Sequence, residues 1–92
     1  MAQDVQLELQ RVVDRWRQLP LDHALRCLPA VRRRVDRLAT LGQDDGAPVP
    51  PDLGPGVVMD QLTVLLYDAS AAPGSDPSAL AADLVALRRE LA

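Results

Sequence analysis

His23 and Cys27, four residues apart, are the two side chains here with the most reactive chemistry. On a helix that spacing puts them on one face, where an imidazole could activate a thiol or both could hold one metal ion. A zinc site needs four ligands, or three and a water, and the chain has no other His or Cys. Only a symmetric dimer could assemble two of each. The pair therefore reads as a small buried thiol beside a surface imidazole.

The run RRRVDR at residues 32 to 37, with Arg26 ahead of it, is the second candidate. Arg26, Arg33 and Arg37 recur at helical spacing with Arg32 beside them, and such a strip could neutralise several phosphates. Against nucleic acid stand a net charge of −3, one Trp and one Tyr for stacking, and no three- or four-residue turn of a helix-turn-helix at Pro29. A solvated face, partly paired with the acidic second half of the chain, is the favoured reading. Nucleic-acid binding through Arg26, Arg32, Arg33 and Arg37 is the alternative.

Carboxylates are plentiful but scattered. Asp44 and Asp45 are adjacent in a stretch rich in Gly and Pro, which offers neither the burial nor the fixed geometry that tunes a general acid or base. The alternating acids of a calcium loop and the Gly-rich turn of a phosphate loop are both missing from the sequence. No catalytic, cofactor-binding or metal-ligating set is read, and the expectation is a non-enzyme. Trp16 is followed by Arg17 and Gln18 rather than by the Trp-x-Gly turn of small secreted helical-hairpin proteins, so no family is recognised.

The elements that position these residues are helices. Ninety-two residues, 48% hydrophobic and 25% charged, suit one folded domain over 1–92. With no Phe, its core must be aliphatic, built from Leu, Val and Ala at about 25 cal/mol per Å² buried. Chains this short have little surplus stability, and oligomerisation is one common remedy. A lone cysteine and an N-terminus without a basic-then-apolar pattern lead to a cytoplasmic expectation. No apolar run reaches the roughly 18 residues of a membrane span. All ten basic residues are Arg, a fact that carries no function. Residues 1 to 41 hold eight arginines against five acids (+3) and residues 42 to 92 two against eight (−6), so the halves can attract each other.

Ala2, Val5, Leu9, Val12, Trp16 and Leu19 step by three and four, the stripe of a helix over 3–19 that Pro20 ends. Leu21, Ala24, Leu28, Val31, Val35 and Leu38 continue the stepping over 21–41, with Asp22 as a cap, Gly42 as a stop and a kink or break at Pro29. Residues 42–54 form a Pro/Gly-rich linker, long enough to permit a crossover in place of antiparallel neighbours. Asp76 caps and Pro77 opens a last helix over 77–91, with Leu80, Leu84, Leu87 and Leu91 on its stripe.

Between them lies the most apolar stretch, PGVVMDQLTVLLYD at 55–68. Its length and its lack of alternation favour a helix over 55–70, with Val58, Met59, Leu62, Leu65, Leu66 and Ala69 inward. A turn of 100° per residue then places Val57 and Val64 on the opposite side beside Asp60 and Gln61, with Tyr67 at the margin. The expected molecule is an all-α, small four-helix bundle. Its expected role is protein–protein interaction, as a homo-oligomer or with another protein, through Val57, Asp60, Val64 and Tyr67 and the Leu7 and Val13 region.

Overall fold

Leucines and valines at helical steps produce the four helices. The computed structural model describes residues 1–41 and 50–92, with α1 at Gln3–Gln18, α2 at Leu21–Leu41, α3 at Val58–Ala71 and α4 at Pro77–Glu90. No strand occurs among the described residues. Most of the linker, with Gly42, Asp44 and Asp45, lies outside them; its end, from Pro50, is non-helical as expected.

The inward stripes meet in one core. Val5, Leu9, Val12 and Trp16 of α1, Val31, Val35 and Leu38 of α2, Val58, Met59, Leu62 and Leu66 of α3, and Leu84, Leu87 and Leu91 at α4 form a single buried cluster. Each large aliphatic side chain so buried contributes about 1.5 to 3 kcal/mol relative to exposure. One member of the expected stripe is missing. Leu21 is 67% exposed at the first position of α2, whereas Ala24 and Val31 further along the same stripe are buried.

The helix ends follow local chemistry. Asp76 accepts from the amides of Ser78 at 3.1 Å and Ala79 at 3.2 Å, with Pro77 at the first position where its missing N–H costs nothing. Asp22 is not a cap: α2 already starts at Leu21, and Asp22 instead faces Arg26 at 3.5 Å within the first turn. α3 starts three residues later than expected. Gly54 takes a φ of +90°, its carbonyl accepts from Val57 N at 3.3 Å, and Pro55 to Val57 form a turn before the helix.

α2 runs unbroken through Pro29. Pro29 and Leu25, whose carbonyl loses its usual donor, both lie on the exposed side, so water can supply the missing bond. Pro29→Ala restores that donor and removes the ring clash. It is expected to stabilise the fold by about 1 kcal/mol, checked by urea denaturation followed by circular dichroism.

The contacts define the topology. Only two residues separate α1 from α2, and the Trp16 indole donates to the Pro55 carbonyl at 2.9 Å, which brings the start of α3 to that same end. α4 finishes there too, since Arg15 Nε donates to Leu91 O at 3.2 Å and Cys27 Sγ lies 3.9 Å from Glu90 O. The order is therefore up, down, down, up, and α2 and α3 are parallel neighbours joined by the crossover that the long linker permits. α1 packs on α4, α4 on α2 and α2 on α3, whereas α1 and α3 barely approach each other.

Charge clamps the same pairs. Arg34, only 8% exposed, reaches from α2 to Glu90 Oε2 at 2.6 Å and Asp83 Oδ1 at 3.6 Å, and donates to Ala30 O at 3.2 Å. Arg37 lies 3.5 Å from Asp83, and Arg88 lies 3.5 Å from Glu8 across the α1–α4 contact. Arg34 and Arg37 of α2 thus meet acids of the second half, as the uneven charge suggested, whereas Arg26 and Arg32 pair with Asp22 and Asp36 of their own helix.

Candidate functional site

Leaving α1 and α3 apart opens a groove of about 750 Å³. Leu9, Val13 and Trp16 line it from α1, with Met1 at the N-terminal end; Met59, Thr63 and Tyr67 line it from α3. Gln6, Gln10 and Arg17 complete the α1 side and Asp60 the α3 side, so a partly apolar trough lies between two polar rims. Helical geometry accounts for the lining. Residues of α1 on the Val13 edge of the buried stripe, and of α3 on the Met59 edge, turn toward the gap rather than toward α4 or α2.

Three features build one end of it. The Trp16 ring is buried against the core, its N–H holds the Pro55 carbonyl, and Pro55, Gly56 and Arg17 line the groove beside it. The floor is thereby fixed by the same bond that sets the start of α3. Opposite, on the α2 side of α3, Gln61 is held by Arg32 and by Pro51: Arg32 donates to Gln61 Oε1 at 3.2 Å, and Gln61 Nε2 donates to Pro51 O at 2.9 Å.

The four residues proposed for a partner divide. Asp60 and Tyr67 line the groove, Tyr67 being 53% exposed. Val64 is 58% exposed on the adjoining outer face. Val57 is half-buried at the N-terminal boundary of α3. Leu7 is exposed on the side of α1 away from the groove, whereas Val13 belongs to the groove itself.

The arginine strip is partly occupied by internal contacts. Arg32 donates to the carbonyls of Pro50 and Pro51 and pairs with Asp36 at 3.2 Å, so it fastens the end of the linker to α2. Arg26 and Arg37 face Asp22 and Asp83. Arg33 is exposed and has no ion pair among the described residues. His23 and Cys27 are both half-buried, and no group of three or more metal-ligating side chains occurs among the described residues.

Of the α1 side, only Val13 was among the expected interaction residues; Leu9, Trp16 and Arg17 were not. Trp16 and Met59 read as core, which they are, and nothing in their spacing reveals that one edge of each stripe lacks a neighbour. Arg34 was within reach: it stands three residues after Val31 and four before Leu38, so it had to share their buried face.

No protein-family model matches the chain, and no curated protein or solved structure matches it. The geometry therefore defines only a class: a four-helix, one-crossover fold with an open groove between its first and third helices.

Proposed function

We propose that this protein is a non-enzymatic helical interaction module that associates with itself through the face shared by α1 and α3. The groove carries the reading. Four helices share one core, yet the first and third are left apart over a partly apolar trough, with Val64 and Tyr67 exposed along its α3 side. Helices laid against such a groove are a recurrent mode of recognition. A small aliphatic core gives the chain reason to bury more surface by association. We assign the module to the cytoplasm, a reading that a lone free thiol supports. Among the described residues no helix is long and apolar enough to cross a membrane.

Light scattering over a concentration series tests it. The mass is expected to rise from 10.0 kDa toward twice that value, and Val64→Asp to weaken association at least about tenfold, because an unpaired carboxylate would be buried. A mass that stays monomeric, or a dimer indifferent to Val64→Asp, would count against this face. The competing reading, nucleic acid along α2, has less support, since Arg26, Arg32 and Arg37 already face carboxylates. It requires binding that falls steeply with salt and with Arg33→Glu; no binding is expected.

A further inference from the structure

Arg17 and Asp60 lie on opposite rims of the groove, both exposed, and neither has an ion-pair partner among the described residues. They also share one end of it. The Trp16–Pro55 hydrogen bond levels the last turn of α1 with the turn preceding α3, so residue 17 and residue 60, the third of α3, are within about one helical turn in height. One rim thus carries an unpaired cation and the facing rim an unpaired anion near the same end of the groove.

We infer that the groove is closed by a second copy of this chain, related by a two-fold axis running along the groove, with Arg17 of each protomer paired to Asp60 of the other. This deepens, and rests on, the self-association proposed above. A rotation about that axis keeps heights unchanged and sets the α1 rim of one copy against the α3 rim of its partner. Each cation then meets an anion twice over, as an isologous interface requires. An axis perpendicular to the groove would carry Arg17 to the opposite end, away from Asp60. The same placement brings the Val13 edge of α1 onto the Val64 and Tyr67 flank of α3, and because α1 and α3 are antiparallel, the interface becomes an antiparallel four-helix layer.

Mixing two charge variants tests the pairing. Arg17→Asp alone sets two aspartates against each other at both contacts, and Asp60→Arg alone sets two arginines, so each is expected to raise the homodimer dissociation constant about tenfold. Mixed in equal amounts, they restore both pairs in the heterodimer, which is expected to form at near wild-type affinity and to dominate both homodimers in native mass spectrometry. Circular dichroism checks that each exposed-site variant keeps its helices. A wild-type dimer whose variants associate equally well alone and mixed would overturn this interface while leaving self-association standing, and would free the groove for a different protein's helix. A wild-type chain that never dimerises would overturn both.

Discussion

Trp16→Ala is expected to destabilise the fold by about 4 kcal/mol, the largest effect of any single change considered for this chain. The indole contributes twice. Its rings are buried in the core cluster beside Leu9 and Val12, in a chain that has no Phe to compensate. Its N–H also satisfies the Pro55 carbonyl and so holds the entry to α3 at the end of α1. Domains of this size are stable by roughly 5 to 14 kcal/mol in total, so the loss removes a large share. Trp16→Phe separates the two parts: most of the burial stays, the hydrogen bond goes, and the cost is expected to fall to about 1 to 2 kcal/mol. Urea midpoints by circular dichroism measure both, and equal costs for the two variants would refute the division.

Arg34→Ala is expected to cost about 2 kcal/mol, while Arg34→Met stays within about 1 kcal/mol of wild type. Alanine removes the packed stem, the 2.6 Å contact to Glu90 and the bond to Ala30 O in one step. The loss stays below the roughly 3 to 5 kcal/mol of a fully buried pair because Asp83 and Glu90 are both partly exposed and can take up water, and Arg37 still faces Asp83. Methionine keeps the volume without the desolvated charge. The Nε of Arg34 is buried with no hydrogen-bond partner, its distance to Asp83 being 3.6 Å, so part of the guanidinium's lost hydration is not replaced. If Arg34→Met proves as costly as Arg34→Ala, the charge rather than the packing holds α4 against α2.

What could be read ahead of the fold follows from locality. Steps of three and four depend only on a helix's own geometry, so Val5, Leu9, Val12 and Trp16, or Leu84, Leu87 and Leu91, were recognisable as buried stripes. Asp76 followed by Pro77 is likewise a signal contained in adjacent residues. Helix partnership is not local. Nothing in the stripe of α1 says that it lies against α4 rather than α3, and the groove exists only because of that choice. The same blindness explains Leu21, in phase with the stripe of α2 yet exposed at its first position. Asp60, Val64 and Tyr67 were legible as a surface because they oppose Leu62 and Leu66 on one helix, and Val13 as an outer position of α1; that Val13 and Arg17 face them across a gap required the topology.

Sedimentation equilibrium of the unmodified chain from micromolar to millimolar concentration tests the proposed association most directly. A reversible monomer–dimer equilibrium is expected, with the apparent mass approaching twice 10.0 kDa at the upper end. A single 10.0 kDa species across the whole range would contradict it.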